Sequence, residues 1–341
     1  MYTDEDLNLA VDKGIFTGSS VTEFRALISS LNNSPSVDEE NFRLIGGFND
    51  VFVVIACSLL LFSSLWVLNS SVNNDSAGPL VFTILSWLLS EFFVRKRRMA
   101  LPAIALLLSF IGGVFAFSIS SFETVSEFSF IVASAVSTIA AYLHWARFKV
   151  PITVAVGTAA IVGCLVSLTI SNFPDAEDWL LVVLFFCGLI SFLFAMYWDS
   201  SDTSRITRKS DVAFWLHLLS APLIIHPIFS GLGVLEGDES LMSIVVVVAL
   251  YLLMTTISIA IDRRAFMVSS LVYVLYALSS LFGKFGGVGY SFALTGVFIG
   301  GGLLLLSAYW HRVRSQLVGK LPELVKNYIP EVKIRKIDQQ T

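Results

Sequence analysis

Ten stretches of mostly apolar residues fill the chain from about residue 50 to about 310. They run roughly over 50–70, 78–94, 99–120, 128–145, 151–171, 179–198, 212–234, 241–261, 265–283 and 289–310. Each approaches the ~20 apolar residues a helix needs to cross the hydrocarbon core of a bilayer. Residues 180–196 and 242–259 are apolar on every face, whereas a transmembrane barrel strand alternates polar and apolar over about ten residues. The pattern predicts an all-α, polytopic transmembrane bundle of about ten helices. It is flanked by a polar segment, 1–48, and a basic tail, 312–341.

Composition agrees with this reading. The chain is 55% hydrophobic and only 14% charged, with a mean hydropathy of +0.78, which excludes a soluble domain with an ordinary charged surface. The net charge of −4 gives no electrostatic reason to expect nucleic acid. Cys57, Cys164 and Cys187 all fall in apolar stretches without paired spacing. They read as packing thiols, not as a disulfide framework or a zinc motif.

Charge sorts the gaps between stretches into two kinds. Every second gap is basic: Arg95 to Arg98 in a run, then Arg147 and Lys149, then Arg205, Arg208 and Lys209, then Arg263 and Arg264, then Arg312 and Arg314. The others carry Asp75, Glu123, Asp175, Glu177, Asp178, Glu236, Asp238 and Glu239, with Lys284 the exception. Short basic loops stay on the cytoplasmic side, so both termini are expected in the cytoplasm. Tyr142 and Trp145, Tyr197 and Trp198, and Tyr309 and Trp310 precede basic gaps, where aromatic rings favour the headgroup level. Helix, aromatic, basic loop and helix recur every 50 to 60 residues or so. That recurrence fits either a duplicated hairpin or the periodicity that membrane insertion imposes by itself.

The first 48 residues are acidic and lack the basic start and short apolar core of a cleavable signal, so the first membrane helix is expected to be an uncleaved anchor. Thr3 with Asp6 and Ser20 with Glu23 have capping-box spacing. Gly14 would end the first helix, and Phe24, Leu27, Ile28 and Leu31 share one face of the second. With Gly14, Ile15, Phe16 and Thr17 between the helices, the segment resembles short helical-hairpin oligomerisation modules at the ends of bacterial proteins. Two runs extend the likeness: Asp38-Glu39-Glu40-Asn41-Phe42-Arg43-Leu44-Ile45-Gly46-Gly47-Phe48-Asn49-Asp50 and Asp211-Val212-Ala213-Phe214-Trp215-Leu216-His217. With the helices between them, the chain resembles an uncharacterised class of bacterial multi-pass proteins known only as domains of unknown function. The resemblance implies a bacterial inner membrane and brings no activity with it. After Trp310 seven basic residues outnumber three acidic ones. With Leu317, Leu321, Leu324 and Tyr328 as an apolar stripe, the tail either lies on anionic lipid or is solvated.

Candidate chemistry is sparse. The seventh stretch holds Trp215, His217, Pro222, His226 and Pro227. Each proline removes a backbone donor and clashes with the carbonyl four residues back, so this helix is expected to kink and to line a cytoplasm-facing pocket, with Trp215 and His217 near the mouth and His226 deeper. The two histidines, nine residues and roughly 14 Å apart on nearly opposite faces, cannot share a metal on a straight helix. His144 is placed to meet His217 as a metal or haem pair or, alternatively, to hydrogen-bond a neighbouring helix. Glu91 and Arg95 have i, i+4 spacing, and Asp50, Glu91, Asp199, Asp211 and Asp262 gather near the basic ends. They read either as local headgroup-level ion pairs or as a polar vestibule around the seventh helix. Gly296 and Gly300 form a GxxxG pair expected to pack within the bundle, with dimerisation as the alternative. No phosphate-binding glycine loop, nucleophile elbow or paired-carboxylate motif is present, so no cofactor, metal or enzyme activity is expected. Two functions remain. One is a scaffold or accessory subunit that binds membrane lipids and other membrane proteins, or itself, through 1–48 and the helix surface. The other is a transporter or flippase for a weakly charged or lipid-like substrate at the kinked helix.

Overall fold

The computed structural model describes residues 7, 10–31, 48–72, 74–173, 175–203, 205, 207–232, 241–284, 290–322, 326 and 328–329. Two compact units divide the chain, Met1–Arg43 and Leu44–Thr341. Among the described residues all regular structure is helical.

In the first unit, residues 10–12 end a helix at Gly14, which has φ +70°. The Gly14 amide donates to the Val11 carbonyl and the Ile15 amide to the Ala10 carbonyl, both at 2.9 Å. This pair of bonds is a Schellman stop, and it requires the left-handed residue that glycine supplies without strain. Helix α1, Gly18–Leu31, then begins earlier than the capping-box pattern at Ser20 implied. Thr17 is the cap, its hydroxyl accepting from the Ser20 amide at 3.2 Å. Thr3, Asp6 and the side chains of Leu27, Ile28 and Leu31 lie outside the described residues.

Among the described residues the second unit holds ten α-helices where ten apolar stretches were expected: α2 Phe48–Ser71, α3 Ala77–Ser90, α4 Ala100–Ser120, α5 Glu127–Phe148, α6 Ile152–Asn172, α7 Ala176–Ser200, α8 Arg208–Gly231, α9 Leu241–Ile261, α10 Ala265–Lys284 and α11 Ser291–Gly319. Eight are long and apolar enough to cross a membrane, and α9 and α10 contain shorter apolar helices, Val245–Ile261 and Ala265–Ser279. The protein is a multi-pass membrane protein. A π-helical turn, Glu91–Lys96, prolongs α3, with the Arg97 amide donating to the Phe92 carbonyl five residues back. Helix α11 continues past Trp310 to Gly319, so the start of the expected tail extends the last membrane helix.

The packing unit is the hairpin closed by a basic loop. Each helix from α3 to α10 packs more extensively on its partner across the basic loop than on the one across the acidic loop. Small residues permit the close approach, as they do in membrane helix pairs generally. A Cβ on Gly157 would sit 3.3 Å from Ala141, one on Gly113 2.5 Å from Thr83, and one on Gly188 2.8 Å from the Leu223 backbone. Each of the four loops turns on a non-glycine residue with positive φ: Arg98, Lys149, Arg205 and Asp262. Several buried serine hydroxyls return to the carbonyl four residues back, as Ser86 does to Phe82 and Ser191 to Cys187. This satisfies them where no water is at hand.

Helices make their substantial contacts with others one or two places along the chain, which lays the bundle out as a strip. Helix α8 is central, with 56% of its membrane window buried against 11% for α2 and for α11. It runs without interruption from Arg208 to Gly231 with Pro222 and Pro227 inside. Gly188 of α7 lies directly against Leu223 and Ile224, where Pro227 leaves the Leu223 carbonyl without its intrahelical donor. Gly188→Ala should force these backbones apart, costing about 1–3 kcal/mol of stability and so lowering the detergent-unfolding midpoint. Gly296→Ala, whose Cβ meets nothing within 4 Å, should leave it unchanged. Equal midpoints for the two variants would rule out this contact as a packing determinant.

Candidate functional site

Asp199 ends α7, and two side chains converge on its carboxylate. Arg263, in the turn between α9 and α10, donates from Nη2 to Oδ1 at 2.7 Å and from Nε to Oδ2 at 3.3 Å. His217 Nε2 lies 3.0 Å from Oδ2. Arg263 Nη2 also reaches the carbonyl and hydroxyl of Ser210 in the first turn of α8, at 3.1 and 3.2 Å. The side chains of Asp199, His217 and Arg263 are 1%, 0% and 2% exposed, so this is a sealed ion pair.

The neighbouring residue faces a second set of partners. Asp262 receives Arg205 Nη1 at 2.8 Å and the Trp310 indole N–H at 2.8 Å, with Arg314 Nε at 3.7 Å. Arg205 also donates to the Ile261 and Asp262 carbonyls. Burial, followed by the adjacent Arg263 guanidinium, lowers the Arg205 pKa, while Asp262 and Asp199 oppose the shift. The loop that presents Arg205 is shaped by Asp202, whose carboxylate accepts from the Thr207 amide and hydroxyl at 2.8 and 2.7 Å. Ser258 pins the turn by donating to the Arg263 carbonyl, and the Arg263 amide returns to the Ser258 carbonyl at 2.9 Å. One two-residue turn, Asp262-Arg263, therefore ties together α7, the 201–207 loop, α8 and α11.

A second ionic contact joins α3 to α5. Glu91, on the π-helical turn, takes Arg147 at 2.7 and 3.1 Å and Arg95 at 3.3 Å. These groups are partly exposed, so the contact adds little stability by itself.

The remaining sequence candidates do not converge on one pocket. His144 is buried among Trp87, Phe110 and Phe148, with ring centroids at 6.0, 5.7 and 4.6 Å. Its Nδ1 lies 3.3 Å from the Thr153 hydroxyl, and its Nε2 has no partner. His217 sits instead against Phe192 and Phe266. The expected pocket mouth at His217 is closed, because Asp199 and Arg263 cover it. Trp215 packs near Trp145 and Trp198 around Ala155, Val212 and Leu216. His226 is exposed, its Nδ1 2.6 Å from the Tyr273 hydroxyl of α10, and Pro222 is exposed one turn earlier. The packing of Gly296 and Gly300 inside the bundle is not found: neither has a neighbour within 4 Å of a Cβ, because α11 touches only α9 and α10 to any extent.

Among the described residues no group of three or more His, Cys, Asp and Glu is placed to hold a metal. Two grooves, of about 660 and 560 Å³, lie along α2 and between α2, α3 and α4. The chain matches no protein-family model, no curated protein and no solved structure.

Sequence reasoning did not single out Arg263, Ser210, Trp310, Arg314 or Tyr273. A signal for the first existed: an acidic residue followed by two basic ones in a three-residue gap between apolar helices. Trp310 read as an interfacial anchor and is instead buried and hydrogen-bonded. Asp199→Asn and Arg263→Gln should each destabilise the fold by about 3–5 kcal/mol, since each strands a buried charge. The double variant should lose less than the sum of the two. Additive losses in a double-mutant cycle, read by reversible unfolding in mixed micelles, would show that the pair is not coupled.

Proposed function

We propose that this chain is an integral-membrane scaffold or accessory subunit that binds other membrane proteins, set in a bacterial inner membrane with both termini in the cytoplasm. The observation that carries this reading is the strip. Helices pack in sequence order, and the helices at its two ends keep only 11% of their membrane windows buried, which leaves long lateral faces for neighbours. The buried charges support it, since they are spent on holding α7, α8 and α11 together. Basic loops on one face support the orientation.

Extraction of the tagged protein in native nanodiscs, with quantitative mass spectrometry of what remains bound, tests the reading. A stoichiometric integral-membrane partner is expected. A solitary chain at native expression would overturn it.

One observation favours the second reading, a transporter or flippase for a weakly charged or lipid-like substrate. His226 is an exposed imidazole inside a membrane helix, roughly 14 Å along α8 from His217, and polar groups at such depth usually serve function. His226→Ala should then abolish a substrate-dependent response while leaving partner stoichiometry intact. A pure scaffold would show no substrate-dependent response for the substitution to abolish.

A further inference from the structure

The basic loops look alike in sequence, yet the fold treats them differently. Arg205, Arg263 and Arg314 are 8% exposed or less and bonded to Asp199 or Asp262. Arg95, Lys96, Arg97, Arg98, Arg147 and Lys149 are all exposed. The Glu91–Arg147 bond, at 2.7 Å across 56 residues of sequence, brings their two loops side by side. Six cations therefore share one surface, and the Glu91 carboxylate among them already engages Arg147 and Arg95.

Two of these cations are held over aromatic rings. The Arg97 guanidinium lies 5.7 Å from the centre of Phe92, and the Lys149 ammonium 5.3 Å from that of Trp145. Such contacts position a cation without neutralising it. The platform follows the ends of two membrane-crossing segments, Ala77–Lys96 and Glu127–Phe148, which sets it at the depth of the lipid phosphates. Phe92 and Trp145 are the kind of side chain that favours that boundary.

We infer that the α3–α4 and α5–α6 loops form a binding platform for the phosphates of anionic phospholipid headgroups, assembled by the Glu91–Arg147 bridge. Depth decides between lipid and soluble anion: a headgroup phosphate is already at this level, and clusters of four to eight basic residues beside a membrane helix recognise anionic lipids. Arginine supplies forked donors to phosphate oxygens and lysine a compact charge.

The test is native mass spectrometry of the purified full chain titrated with phosphatidylglycerol or phosphatidylcholine of the same acyl length. Phosphatidylglycerol should be retained preferentially. Lys96→Gln/Arg97→Gln/Lys149→Gln should lose that preference by roughly fivefold per cation removed. Arg312→Gln/Lys320→Gln, which removes charge elsewhere, should keep it, as should the charge-conserving Arg97→Lys/Lys149→Arg. The proposal fails if the two lipids bind equally or if the triple variant retains the preference. It fails equally if millimolar inorganic phosphate displaces the lipid, since the platform would then serve a soluble anion.

Discussion

Removing a charge from water costs several kcal/mol, and only well-placed partners offset it. The structure meets that constraint at Asp262-Arg263, a turn whose adjacent side chains carry opposite charge and find opposite partners. Asp199, itself held by His217, and Ser210 take the arginine; Arg205, Trp310 and Arg314 surround the aspartate. Neither half is satisfied unless α7, α8, the loop between them and α11 are all in place. The helices of the second half are thereby registered against one another at one face of the membrane, where lipid packing alone would let them slide.

The first half of the strip is built on a different balance. Its hairpins rely on close backbone approach, as at Gly113 and Gly157, and on an aromatic box around His144. Its ionic link from Glu91 to Arg147 is partly exposed. Between the halves, Trp145 and Trp198 meet edge-on with centroids 6.4 Å apart. One chain therefore combines a segment locked by desolvated charge with one held by shape. Helix α8 belongs to the locked part and carries its two prolines within one continuous helix, with α6, α7 and α10 packed around it.

Much of the fold was legible in the sequence, because hydrophobic length and loop charge are local quantities. Ten apolar runs became ten helices, the hairpin periodicity became the packing unit, and Gly14 ended its helix. The site was far less legible. Asp199 and Arg263 lie 64 residues apart, and no periodicity reports which acid will meet which base. Trp310 and Trp145 have the same sequence context, an aromatic before basic residues, yet only Trp310 finds a carboxylate for its indole. Gly296 and Gly300 formed a recognisable motif, but whether a motif is used depends on which helix lies opposite, and α11 sits at the edge of the strip. The closing of the expected pocket over His217 likewise turned on a distant arginine.

The four left-handed turns have a wider meaning. A chain reversing at positive φ would be most relaxed with glycine, and each side chain kept there carries strain on the order of 1–2 kcal/mol. Three of the four positions hold a cation, and the fourth, Asp262, precedes two. The residue that reverses the chain is thus also, or adjoins, the residue whose charge resists being drawn through the bilayer during insertion. Conformational ease and topological fidelity compete at the same atoms, and at all four turns this protein has kept the side chain.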